Sequence, residues 1–235
     1  MKKTIGILGG MGPLATADLY RKLVLLTDAA SDSEHIRVYI DSNTTIHDRT
    51  AAILSDGANP LPAMTDSLRK LESCGADCII MPCNTAHYFL PKLQELTKVP
   101  FVSMLEAAAK TCRARYPGQT AAVLATKGTL TSGLYQKTLE AEGVPYLIPE
   151  AAEQDQLMTV IYEGVKAGAP PETYRAEYFS VLDAMEARGA GYFILGCTEL
   201  PLAAQLLGAD RPAVDPTEEL AKAAIRFCGY TVKGE

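Results

Sequence analysis

Short apolar runs rich in valine and isoleucine alternate along this chain with longer stretches whose apolar residues recur at three- and four-residue spacing. The short runs predict strands near 4–8, 36–41, 77–82, 100–103, 119–125, 145–148, 191–196 and 212–214. The longer stretches predict helices at about 14–29, 60–74, 104–115, 131–142, 153–167, 171–188 and 217–228, with Gly or Pro near several ends. Strand and helix in alternation form an α/β chain, a parallel sheet covered by helices.

Two of the strand runs end on a cysteine in the same way, Gly75-Ala76-Asp77-Cys78-Ile79-Ile80-Met81-Pro82-Cys83-Asn84-Thr85 and Gly189-Ala190-Gly191-Tyr192-Phe193-Ile194-Leu195-Gly196-Cys197-Thr198-Glu199. These segments are 114 residues apart, and other blocks repeat in order at similar offsets. Thr4–Gly12 resembles Thr120–Gly128 at 116, and Thr16–Lys22 resembles Thr131–Lys137 at 115. Arg37–Ile40 answers Pro145–Ile148 more weakly at 108, and Val99–Glu106 answers Arg211–Glu218 at 112. The expected architecture is therefore two pseudo-symmetric lobes, each a four-stranded parallel sheet flanked by helices. The expected boundaries are 1–98 plus 212–235 for the first lobe and 99–211 for the second. Ligands of α/β sheets lie off the carboxyl ends of strands, so the expected active site is between the lobes, where Cys83 and Cys197 would point.

Composition narrows the class. The 235 residues suffice for one large or two small domains. A balance of 28 acidic against 22 basic residues, net charge −6, argues against a nucleic-acid partner. Lys2 and Lys3 lead straight into Thr4–Leu8, too short for a signal sequence, and no run approaches the roughly 18 apolar residues of a membrane span. A cytoplasmic protein with no membrane partner is expected. Six cysteines, at 74, 78, 83, 112, 197 and 228, lack the dense spacing of a disulfide framework. None of His35, His47 and His87 completes a metal-ligand pattern with them, so no metal is expected.

After each cysteine come Asn84-Thr85-Ala86 and Thr198-Glu199-Leu200, which bring hydroxyl, amide and backbone N–H groups to a strand-to-helix turn. Such a turn binds a carboxylate, and its unpaired N–H donors favour thiolate over thiol. A free cysteine is more commonly a small buried hydrophobe, a role expected of Cys74, Cys78, Cys112 and Cys228. Opposed thiols allow redox exchange, metal binding, or proton transfer to both faces of a carbon. Redox exchange is disfavoured by the absence of Cys-x-x-Cys, and metal binding by the absence of partners. Proton transfer fits best: a thiolate removes an α-proton and a thiol donates from the opposite face. Arg49, after a strand and a polar turn, has the guanidinium to hold a side-chain carboxylate bidentately. Gly9-Gly10-Met11-Gly12 lacks the full dinucleotide fingerprint. Its glycines are expected to let backbone approach the substrate, with Met11 lining the pocket and Thr126 at the corresponding point of the second half. His87, one turn beyond Cys83, is read as a helix-face residue rather than a base.

Ile7-Leu8-Gly9-Gly10-Met11-Gly12-Pro13, His47-Asp48-Arg49-Thr50, Met81-Pro82-Cys83-Asn84-Thr85-Ala86 and Leu195-Gly196-Cys197-Thr198-Glu199 together resemble the aspartate/glutamate racemase family, in its aspartate racemase branch. The likeness covers essentially the whole chain. It implies a cofactor-independent racemase of aspartate and/or glutamate, commonly a homodimer, with a catalytic cysteine from each lobe. By that resemblance Cys83 works on the D-enantiomer face and Cys197 on the L face. Arg49 matches the family's substrate arginine, although His47 stands where Pro is common. Lys166 matches its second ligand for the distal carboxylate. Substrate contacts are expected from Met11, Arg49, Asn84, Thr85, Thr126, Lys166, Thr198 and Glu199, the last also able to set the thiol's protonation.

Glutamate racemases of cell-wall synthesis typically carry Asp-Ser-Gly after the first strand and His after the second Cys-Thr. Here those places hold Gly9-Gly10-Met11 and Glu199. Decarboxylating relatives keep one cysteine, so two favour racemisation. The alternatives are a broad-specificity amino-acid racemase, a non-catalytic two-lobed amino-acid binding protein, and isomerisation or decarboxylation of a dicarboxylate.

Overall fold

All eight expected strands form. In the computed structural model, which describes residues 2–235, the chain opens with β1 (Ile5–Gly9), α1 (Pro13–Leu26), β2 (Val38–Ser42), α2 (Arg49–Leu54) and α3 (Leu61–Ser73). Next come β3 (Cys78–Ile80), α4 (Leu90–Glu95), β4 (Phe101–Val102), α5 (Met104–Arg115), β5 (Ala121–Ala125), α6 (Lys127–Thr131) and α7 (Leu134–Ala141). The rest is β6 (Tyr146–Leu147), α8 (Ala151–Met158), α9 (Arg175–Ala187), β7 (Tyr192–Gly196), α10 (Leu200–Leu207), β8 (Ala213–Val214) and α11 (Pro216–Phe227). The helix expected over 153–167 divides: α8 passes into a π-helical stretch at Thr159–Lys166. Four further helices, α2, α4, α6 and α10, fall outside the expected helical stretches. Each has only five to eight residues, too few for an apolar repeat to register. Among the described residues no helix is long and apolar enough to cross a membrane.

The chain divides into two compact units, one of residues up to 107 with 217–235 and the other of 108–216. In the first, the parallel sheet runs β2-β1-β3-β4, with Ile5 opposite both Val38 and Cys78 and Ile79 opposite Phe101. β1 and β3 are buried along their whole length, as strands covered on both faces must be, whereas the edge strand β2 is largely half-exposed. Their apolar residues join Met64, Leu68 and Leu71 of α3 and Phe89 and Leu93 in one core, which also takes in Met11 and Cys83. The 217–235 segment completes this unit: Lys3 N–H donates to the Cys228 carbonyl (3.2 Å), and the buried thiols of Cys78 and Cys228 touch at 3.6 Å.

The second unit repeats the permutation as β6-β5-β7-β8, all parallel, with β5 and β7 paired from Ala121↔Tyr192 to Ala125↔Gly196. Its core packs Leu124, Phe193 and Leu195 of the sheet against Leu157, Val160 and Ile161, the aromatic rings of Tyr174 and Tyr178, and Leu200 of α10, and takes in Cys197. A strand belongs to the sheet that satisfies its backbone N–H and C=O groups, and this corrects the expected lobe boundaries at 98/99 and 211/212. The segment 101–102 pairs with β3 in the first unit, and 213–214 pairs with β7 in the second. Cys74 is also corrected: it caps the end of α3 and is exposed, while Cys78, Cys112 and Cys228 are buried as expected.

The turn after β1 is shaped by its own neighbours. Gly10 has φ +88°, and a Cβ on it would lie 2.3 Å from the Asn43 backbone; a Cβ on Gly9 would lie 2.4 Å from Thr16. Thr16 Oγ1 accepts from Gly10 N–H (2.9 Å) and donates to the Gly12 carbonyl (3.0 Å), closing the loop. Packing against Asn43 and Thr16 thus requires glycine at both positions, 9 and 10. Gly10→Ala is expected to lower unfolding free energy by about 2–4 kcal/mol, read from urea denaturation. Gly12→Ala, whose Cβ meets nothing within 4 Å, is expected to stay within about 1 kcal/mol.

Candidate active site

Both cysteines lie just past the point where two central strands stop pairing. In the first unit the last β1–β3 pair is Ile7↔Ile80, and three residues further the chain reaches Gly10 on one side and Cys83 on the other. In the second unit the last β5–β7 pair is Ala125↔Gly196, followed directly by Thr126 and Cys197. Both sites are topological switch points, since the chain leaves β1 toward β2 on one side and places β3 on the other, and does the same around β5. Ligand sites of open α/β sheets form at such points, outside the carboxyl ends of the strands.

Cys83 is buried and unbridged. Its amide donates to the Met81 carbonyl (2.9 Å), and the chain then enters a 3-10 turn at Thr85–Phe89 instead of the expected helix, with Asn84 as its cap. Asn84 and Thr85 are buried beside it. In that turn His87 N–H donates to the Asn84 carbonyl (3.1 Å), and the His87 ring approaches the Cys83 carbonyl, Nδ1 at 2.9 Å. The other ring nitrogen, Nε2, accepts from Met104 N–H at 3.1 Å. His87 is buried, and desolvation pushes its pKa down to about 4, so the ring is neutral at pH 7.

Arg49 opens α2, where Asp48 caps the helix by accepting from Ala51 N–H (2.7 Å). The buried guanidinium is aimed by carbonyls: Nη1 donates to Ile46 (3.2 Å) and His47 (3.0 Å), and Nη2 to Met11 (3.2 Å). Arg49 and Met11 are therefore brought together within this unit.

In the second unit, Thr126 caps α6; its Oγ1 accepts from Thr129 N–H at 3.3 Å and lies 3.0 Å from the Thr129 hydroxyl. Cys197 follows Gly196, where any Cβ would stand 2.8 Å from the buried ring of Tyr135. Its thiol donates to Glu199 Oε2 (2.9 Å), which also accepts from the Thr198 hydroxyl (3.1 Å). Lys166, at the end of the π-helical stretch, puts Nζ 4.0 Å from Glu199 Oε1 and 4.3 Å from the centre of the Tyr162 ring. Cys197, Thr198, Glu199 and Lys166 thus form one cluster. Burial and then the Glu199 carboxylate hold the Cys197 thiol well above its ordinary pKa, with Lys166 opposing them in part. This corrects the expectation that a helix N-terminus makes this residue a thiolate: α10 begins only at Leu200, and an acceptor carboxylate stands nearer.

Sequence reasoning missed the backbone bonds of the His87 ring and the Tyr135 ring under Gly196. The four-residue spacing of Cys83 and His87 was the signal for the first; nothing local marks the second.

A family model described as Asp/Glu/Hydantoin racemase matches residues 8–224. The chain is 28% identical over 229 residues to the broad specificity amino-acid racemase RacX of Bacillus subtilis (strain 168), covering 94% of this chain and 96% of that protein. Among solved structures, Picrophilus torridus aspartate racemase superposes with a TM-score of 0.86 at 30% identity, over 98% of this chain and 96% of that one. A glutamate racemase of Corynebacterium kroppenstedtii is 32% identical over 129 residues, 54% of this chain but only 43% of its own length.

Two outcomes follow from the protonation states. Glu199→Gln removes the charge that raises the Cys197 pKa, so the pH midpoint for iodoacetamide alkylation of Cys197, followed by peptide mass mapping, is expected to fall; an unchanged or higher midpoint contradicts the assignment. For His87, folding holds the pKa near 4 against about 6.5 unfolded. The unfolded chain therefore binds the proton first as pH drops below about 6.5, and stability is lost between about pH 6.5 and 4. From pH 7 to 4.5 this group is expected to remove about 2–3 kcal/mol, a component absent from the urea-denaturation pH profile of His87→Gln.

Proposed function

Because this chain belongs to the Asp/Glu/hydantoin racemase family and is an amino-acid racemase, we propose that it interconverts the L- and D-forms of aspartate and/or glutamate, without a cofactor, through Cys83 and Cys197. The observation that carries this reading is the duplicated placement of a buried cysteine beyond the carboxyl end of the third strand of each unit. In each turnover one thiolate takes the α-proton and becomes a thiol, while the other thiol gives its proton to the opposite face and becomes a thiolate. The enzyme is then set for the reverse direction. By resemblance Cys83 works on the D-enantiomer face and Cys197 on the L face.

Arg49 and Lys166 are assigned to the distal carboxylate, and Met11, Asn84, Thr85, Thr126 and Thr198 to the remaining substrate contacts. The guanidinium of Arg49, held by three carbonyls, supports its part by arriving already oriented. The name of the Bacillus subtilis relative supports a second reading, a wider substrate range. We further propose a cytoplasmic homodimer. Exposed apolar side chains on α1 (Leu14, Tyr20, Val24, Leu25) and on β2 (Ile40) support self-association, and sedimentation would give twice the 25.2 kDa of one chain.

The test is racemisation and α-proton exchange in D₂O across the common amino acids, without added cofactor. Aspartate or glutamate is expected to exchange fastest. Cys83→Ser and Cys197→Ser are each expected to lose racemisation by about 10³-fold or more. Tight binding of aspartate with no exchange would instead make the protein a binding module, and full activity in both variants would refute the cysteine assignment.

A further inference from the structure

We infer that His87 is a positioning residue for Cys83: its Nδ1–H holds the Cys83 carbonyl, and its Nε2 ties the ring to the start of α5. The inference rests on the racemase reading for its kinetic consequence and on geometry alone for the contact.

The hydrogen bonds leave one tautomer. A backbone amide only donates, so Met104 N–H at 3.1 Å requires Nε2 to be the unprotonated nitrogen. The proton therefore sits on Nδ1, where the Cys83 carbonyl oxygen, which only accepts, lies 2.9 Å away. Both nitrogens are engaged with backbone, so the ring is no base for a substrate.

The local backbone explains why a side chain is needed there. In an α-helix the carbonyl of Cys83 would accept from the amide four residues on, that of His87. The 3-10 turn directs that amide to the Asn84 carbonyl instead, and the ring of the same residue takes its place as donor. At the other end, Met104 N–H is one of the first amides of α5, which no carbonyl of its own helix reaches. One buried imidazole thus satisfies two backbone groups, at the exits of the neighbouring strands β3 and β4. Cys197 needs no such residue, because Leu200 N–H donates to its carbonyl at 2.9 Å. Holding the carbonyl fixes the peptide plane after Cys83, and with it the direction of the Cα–Cβ bond that carries the thiol.

Three variants separate positioning from general support. His87→Asn keeps an amide N–H near the place of Nδ1, His87→Gln keeps an acceptor near the place of Nε2, and His87→Leu keeps neither. With aspartate as substrate, His87→Leu is expected to lose about 10²-fold in kcat with KM within about threefold, the size of effect that a misplacement of about 1 Å produces. His87→Asn is expected to recover at least tenfold over His87→Gln. Iodoacetamide alkylation rates, mapped by peptide mass, are expected to change at Cys83 in His87→Leu and His87→Gln and to stay at the wild-type value at Cys197. If His87→Leu does not fold, the Asn and Gln variants decide. Equal activity in those two, or Cys83 and Cys197 alkylation changing together, overturns the assignment. Absence of α-proton exchange in the wild type refutes the racemase reading alone, and the Cys83 alkylation comparison then stands as the test of the contact.

Discussion

Where a parallel ladder stops, its outermost N–H and C=O groups lose their partners, and everything around the two cysteines answers to that fact. Inside the sheets the strands satisfy one another, and the side chains of β1, β3, β5 and β7 are free to be apolar and buried. One to three residues beyond the last pair the backbone must find donors and acceptors elsewhere. Thr16 supplies them for Gly10 and Gly12, Thr126 caps α6, and the His87 ring serves Cys83 and Met104. A polar, oriented rim on an apolar core is what the end of a buried ladder demands, and it is also what a small charged ligand needs.

The two units meet this demand with the same strand order and with different chemistry. Near Cys197 a carboxylate accepts from the thiol itself and raises its pKa. Near Cys83 the polar group grips the main chain and leaves the sulfur to its surroundings. A repeat legible at the level of strands has therefore diverged at the level of thiols, so the two cysteines are not interchangeable halves of a symmetric device.

The hydrophobic pattern carried the fold well, because runs such as Ile5–Leu8 and Tyr192–Leu195 have no stable place except a strand buried on both faces. It did not carry the short helices α2 and α6, which are set by the caps Asp48 and Thr126 rather than by an apolar repeat. Nor did it set the lobe boundaries, since the two-residue strands β4 and β8 are assigned only by which neighbour they pair with. Of the candidate site, the clusters Arg49 with Met11 and Cys197 with Glu199 and Lys166 follow from residues that sequence reading had singled out. The protonation of Cys197 did not follow, because a helix-terminus argument cannot weigh a carboxylate two residues away until distances are known. The glycines after β1 were legible as glycines, but their partners, Asn43 and Thr16, emerge only from the folded loop.

The division of the chain into one interrupted and one continuous unit bears on the order in which the molecule can be built. Residues 108–216 form a single stretch, and all four strands of its sheet are in hand once β8 has been synthesised. The first unit has its whole sheet much earlier, by β4, yet the buried Cys228 that meets Cys78, and Val232, which bridges to Thr27, arrive last. On a ribosome the unit whose strands come first is thus completed after the one whose strands come second. Until then it presents the apolar ground of α11 uncovered, so a growing chain is most exposed to aggregation in the half that was begun first.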